Sequence, residues 1–270
     1  MDTQTLKMLG ALLTACLLDT LVLAYIILRS RWTGWRLIAT VFVVFYGVMT
    51  FMAQIESVVF DILPPGMLPR LFVMGILVTA PFSVLAVIVL GKMKADPAPP
   101  PEPNARLGMP PTEWAWKLAV IAVAYMVIYS TFGYFIAWKN PAVRAYYGGI
   151  DPGSFLAQMK AVLTVTPWLE PFQALRGVLW ALLALPVIRM MKGNWQETAI
   201  AVGMIFAVLM NSQLLLPTPL MPEAVRLTHL VETASSNFIF GCLTVWLLHR
   251  HHSSLPDLFR VGFTLKPGAN

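Results

Sequence analysis

Seven apolar runs of helix length divide the chain, at about 6–28, 36–60, 67–92, 113–138, 170–191, 196–216 and 224–248. A helix of about 20 residues crosses the hydrocarbon core of a bilayer. Within lipid, only structures that pair every backbone group internally survive. A barrel would need alternating strands of about ten residues, and no such alternation is present. The pattern therefore predicts an all-α bundle of seven transmembrane helices. The first run follows Lys7 as a signal peptide would. It continues to Leu28 with Asp19 as its one charge, and is read as a retained span.

Two connections are long. Residues 95–112 hold seven prolines and predict an extended linker with no core to bury. Residues 139–169 form a large loop. Within it, Phe155, Met159, Val162 and Leu163 recur at helical spacing behind Ser154, a candidate N-cap. That stretch predicts an amphipathic helix lying on the membrane surface.

Composition agrees with this reading. The chain is 58% hydrophobic and 12% charged, about half the charge of a soluble domain. The net charge of +6 is explained by loop lysines and arginines, and nucleic acid is excluded as a partner. Cys16 and Cys242 lie in apolar runs and give neither a disulfide framework nor metal-ligand spacing. Basic residues orient the spans. Arg29, Arg31 and Arg36, then Lys92, Lys94 and Arg106, then Arg189 and Lys192, and finally Arg250, Arg260 and Lys266 fall on one side. Lys7, Arg70, Lys139, Arg144, Lys160 and Arg226 are spread thinly on the other. The excess places the C-terminus in the cytoplasm and the N-terminus outside, in a cell inner (plasma) membrane.

A weak internal repeat is visible. Ile27-Leu28-Arg29, Trp35, Ala39 and Gln54 match Val187-Ile188-Arg189, Trp195, Ala199 and Gln213. The hairpin Leu63-Pro64-Pro65-Gly66-Met67-Leu68-Pro69 sits against Leu216-Pro217-Thr218-Pro219-Leu220-Met221-Pro222. Residues 1–94 and 170–249 then form two parallel three-helix units. They are joined by the linker 95–112, the span 113–138 and the outer loop 139–169, with a tail at 250–270. Such units are related by a pseudo-two-fold axis along the membrane normal. This layout of three spans, one span and three spans resembles that of the SWEET sugar transporters. Their Pro-Gln pair does not occur here, so no site residue is carried over.

Polar side chains within spans are costly and mark candidate sites. In the seventh span His229, Glu232, Thr233 and Ser236 share one face, with Asn237 beside it. In the second, Thr50, Gln54, Ser57 and Asp61 form a stripe flanked by Glu56; the sixth adds Asn211, Ser212 and Gln213. All lie in the outer half and are expected to converge on one cavity. The binding set is Gln54, Glu56, Asn211, Gln213, His229, Glu232 and Asn237. Glu56, His229 and Glu232 form a candidate zinc or iron set. Asp19 either marks, with Thr233 and Ser236, a pathway toward the cytoplasm or is a protonated carboxylic acid in a helix contact; Ser83, Tyr125 and Tyr129 lie at compatible depth to hydrogen-bond it. No retinal-type lysine lies within a span. The tail sequence His249-Arg250-His251-His252 reads as a cytoplasmic anchor, and Tyr146 and Tyr147 as part of an interfacial aromatic belt.

Three functions fit. The first is a transporter or channel for a small solute or ion, with Glu232 and His229 handling protons. The second is a metal-dependent enzyme acting on lipid at the outer leaflet. The third is a non-catalytic subunit bound to another membrane protein. A transporter expects a wet path from the cluster toward Asp19, and a dry inner half counts against it.

Overall fold

The computed structural model describes residues 2–61, 63–94 and 106–259. Most of the Pro-rich linker and the end of the tail therefore lie outside the described residues. Among those described, the regular elements are helical and there is no strand. The long helices are α1 (Thr3–Leu28), α2 (Gly34–Val59), α3 (Met67–Val89) and α4 (Pro111–Ala137). Two short helices follow, α5 (Pro141–Tyr146) and α6 (Phe155–Val165). The chain continues with α7 (Leu169–Met190), α8 (Trp195–Leu209) and α9 (Glu223–Leu248). Helices α1, α2, α3, α4, α7 and α9 are long and apolar enough to cross a membrane. The bundle is that of a multi-pass membrane protein.

The expected sixth span, 196–216, differs from the others. Helix α8 has 15 residues, a rise of about 22 Å, and gives way to a 3-10 turn at Ser212–Leu215. Asn211 and Ser212 at that turn are buried. Prolines at 217 and 219 follow the turn and keep the chain from returning to helix there.

The helix ends gather at two poles. At the basic pole an antiparallel bridge joins Ser30 to Met191, with Arg31 N donating to Met190 O at 2.8 Å and Lys192 N to Arg29 O at 2.9 Å. Two cations bond carbonyls just past the helix ends there, where the dipole favours positive charge. Lys92 Nζ donates to Ser30 O at 3.0 Å, and Arg106 Nη1 to Met191 O at 3.0 Å. Arg29 grips Glu197 through two nitrogens. Where α4 starts, Lys117 is fully buried, pairs with Glu113 at 2.7 Å and donates to Arg250 O at 2.7 Å. Lys117 thus docks the tail onto the first turns of α4. His252 N donates to Glu113 Oε1 at 2.7 Å, and His251 pairs with the same carboxylate. The tail anchor is thus a protein contact.

The opposite pole, called the loop pole below, carries α5 and α6. Ser154 caps α6 by accepting from Ala157 N at 3.2 Å. Helix α6 has no buried residue, and Leu156, Leu163 and Val165 are exposed. Between the poles, the half next to the basic pole is filled by Leu23, Ile26, Ile27, Val41, Val44, Ala184 and Ile188, all fully buried. The half toward the loop pole collects the polar side chains.

Candidate functional site

Each helix that runs toward the loop pole from α2, α4 and α8 contains a π turn. These are Gly47–Phe51 in α2, Gly133–Ala137 in α4 and Ile205–Leu209 in α8. A π turn inserts an extra residue and shifts which side chains face inward. Gln54 and Glu56 follow the first, and Asn211 follows the third. Gly133 opens the second and abuts Glu232, with its missing Cβ 3.6 Å from Glu232 Oε1.

The centre is an ion pair that the acidic residues alone did not reveal. Arg176, on α7, meets Glu56 at 3.0 and 3.2 Å through two nitrogens, and donates to Gln173 Oε1 at 2.9 Å. Arg176 is only 2% exposed. Its guanidinium carbon lies 5.7 Å from the rings of Tyr125 and Phe172. Trp180 Nε1 donates to Tyr125 Oη at 3.2 Å. Two-point pairing and aromatic walls are what a buried guanidinium needs to offset desolvation. Arg176 Nε is buried with no partner. The signal was in the sequence, because an arginine three residues after a glutamine inside an apolar run is as costly as an acid.

Beside it stands a second constellation. His229 Nδ1 lies 2.7 Å from Glu232 Oε2, and Nε2 lies 3.1 Å from Tyr147 Oη. Burial raises the Tyr147 phenol above its ordinary pKa, and the charges of Glu56, Tyr146 and Glu232 raise it further. The phenol therefore stays neutral, able either to donate to Nε2 or to accept from it. Tyr147 is thus a site residue as well as an interfacial aromatic, and it links the α5 end to α9. It lies within electrostatic reach of both Glu56 and Glu232.

The remaining expected residues do not join one cavity. Asn211 Oδ1 accepts from Thr233, whose hydroxyl also reaches His229 O at 2.5 Å. Ser236 donates to Thr233 O at 3.2 Å, within its own helix. Asn237 contacts Met210 Sδ at 3.5 Å. Gln54 and Gln213 line a separate hollow against α3. The split has a geometric cause: Gln54 and Glu56 are two residues apart on α2, so they point to opposite sides.

Two expectations are corrected. Asp19 does not meet the partners expected for it at its depth. Ser212 Oγ donates to its Oδ2 at 3.0 Å, so it meets the turn after the short α8. Ser83 instead donates to Thr79 O, and Tyr125 accepts from Trp180. The metal set of Glu56, His229 and Glu232 does not close either. Glu56 is taken by Arg176, whose positive charge would oppose a metal cation. Among the described residues no three His, Cys, Asp or Glu side chains are grouped to hold a metal ion.

Comparison with known protein families, with curated proteins and with solved structures finds no match for this chain. The reading of function therefore rests on the geometry.

Proposed function

We propose that the protein binds a small polar ligand carrying an anionic group in the outer half of a membrane bundle, and handles a proton there. The observation that carries this is the chain Glu232–His229–Tyr147 at 2.7 and 3.1 Å, close to a buried arginine. A carboxylate, an imidazole and a phenol in series form a path along which a proton is passed. Arg176 supplies two-point recognition of a carboxylate or phosphate. Glu56 fills that position in the structure, and its side chain is 28% exposed, so it is free to give way. Orientation follows the basic residues: the pole with Arg29, Lys92 and Arg106 is cytoplasmic, and α5 and α6 lie outside. Helix α8 and its turn complete a seventh, sunken crossing.

The test identifies the ligand directly. The protein is extracted in native-lipid nanodiscs and its retained small molecules are identified by mass spectrometry. An anionic compound held by the wild type and lost in Arg176→Gln is expected. An unchanged set of retained compounds would sink the proposal.

A second reading, transport, is favoured by one observation. The Ser30–Met191 bridge pairs the segments that the internal alignment equates, Arg29–Arg31 with residues 189–191. An antiparallel bridge is itself two-fold symmetric, so a pseudo-dyad relating the two halves would pass through it. Packing follows the same exchange: α1 lies on α8, and α7 on α2. Two parallel halves pinned at one pole suit a carrier that rocks about the site. The dry half near the basic pole argues against an open channel, and requires a carrier to be closed on its inner side in this state.

A further inference from the structure

The hollow between α2 and α3 is a different feature from the ionic centre and shares no side chain with it. It is lined by Thr50, Gln54, Leu71, Met74, Val78 and Gln213, among others, and holds about 160 Å³. That is the volume of roughly five waters, room for a small polar head. Thr50 and Gln54 are one helical turn apart, so both face it. Gln213 arrives from the 3-10 turn of the other half. The floor is made possible by Gly75, where a Cβ would collide with the Thr50 side chain.

Its chemistry is lopsided. Gln54 is 8% exposed, and its Oε1 is buried with no partner. A buried acceptor left unpaired costs about 1–3 kcal/mol. Gln213 spends its Nε2 on Met210 O at 3.1 Å. Gln54 Oε1 therefore asks for a donor, and the Gln54 amide and the Thr50 hydroxyl in the same wall can themselves donate. Its rim is apolar and faces away from the bundle: Met74 is 55% exposed and Val78 49%. On a membrane-spanning helix, half-exposed apolar side chains meet acyl chains. The opening is thus sideways, into lipid, at the depth of the outer half.

We propose that this hollow binds the head of a membrane-borne amphiphile that carries hydroxyl or amine donors, its acyl chain leaving between Met74 and Val78. Gln54 Oε1 accepts from the head, and Met49, Leu71 and Met74 contact the first methylenes. This does not rest on the proposed function of the Arg176 centre.

The probe is a 1-monoacylglycerol with a diazirine near the ester, incorporated into phosphatidylcholine nanodiscs that hold the full chain. Photolabelling is mapped by peptide mass spectrometry. Labels are expected on Leu71, Met74 or Val78, with a yield about five- to tenfold lower in Gln54→Leu, in keeping with loss of one hydrogen bond to a buried group. Met74→Trp, which narrows the mouth and leaves Gln54 in place, is expected to reduce the yield as well. Both variants are compared at equal thermal stability, so misfolding is separated from lost binding. Equal labelling by the corresponding methyl ester, which has no hydroxyl, would overturn the proposal. So would displacement of the label by aqueous glycerol alone, which would make the hollow a solute site.

Discussion

At the scale of single residues, the cost of Arg176 decides most. A guanidinium that is 2% exposed inside an apolar bundle is tolerated only with its partners in place. Removing one partner of a buried pair strands the other, whereas replacing both with apolar groups of similar size is often neutral. Glu56→Ala is therefore expected to destabilise the protein by about 3–5 kcal/mol. The double variant Glu56→Met with Arg176→Met is expected to recover most of that loss. Thermal unfolding in detergent, followed by aggregation-independent fluorescence, checks both. A double variant no better than the single one would mean that the pair is not coupled. The sequence made Glu56, Glu232 and His229 visible because in-span charges are conspicuous. It did not reveal which charges meet. Glu56 pairs with a residue 120 positions away, and nothing local in the chain encodes that choice.

At the scale of elements, six of the seven apolar runs became helices of spanning length, since hydrophobic length is a local property. The sixth run did not: α8 stops at Leu209, and its turn is sunk into the bundle. The π turns were equally hidden, as they depend on packing between helices. Helices α8 and α9 touch through glycine: a Cβ on Gly241 would lie 2.7 Å from Gly203 Cα. Backbone cannot yield to it, so Gly241→Ala is expected to push the pair apart at a cost of about 1–3 kcal/mol. A lowered unfolding temperature checks this, and an unchanged one would contradict it.

The tail contact makes a pH prediction at the same scale. Burial, then the charges of Lys117 and Arg250, lower His252 from 6.5 to about 4; Asp257 and Glu113 oppose this. A pKa depressed in the fold means that the folded state prefers the neutral ring. The contribution is present above pH 6.5 and is lost as pH falls toward 4. Hydrogen exchange over residues 250–259 is expected to quicken across that window. His252→Asn is expected to flatten the dependence, and an equal response in the variant would assign it to another group.

For the whole molecule, the two poles have distinct jobs. The basic pole is knit by backbone and cation contacts around Ser30 and Met191, and the half beside it is dry. The loop pole keeps the ionic centre, the Glu232–His229–Tyr147 path and the sideways hollow. The sequence expected one cavity where the structure has separate pairs. Side chains at equal depth on neighbouring helices still point in different directions, and depth alone cannot tell which. The central claim is that ligand recognition belongs to the loop-pole half. It is tested most directly by comparing retained ligands in wild type, in Arg176→Gln, and in an oxidised Ser30→Cys, Met191→Cys variant in which Cys16 and Cys242 are replaced by alanine. The crosslinked protein is expected to keep its anionic ligand while Arg176→Gln loses it. Loss of the ligand in the crosslinked protein, or its retention in Arg176→Gln, would contradict that claim.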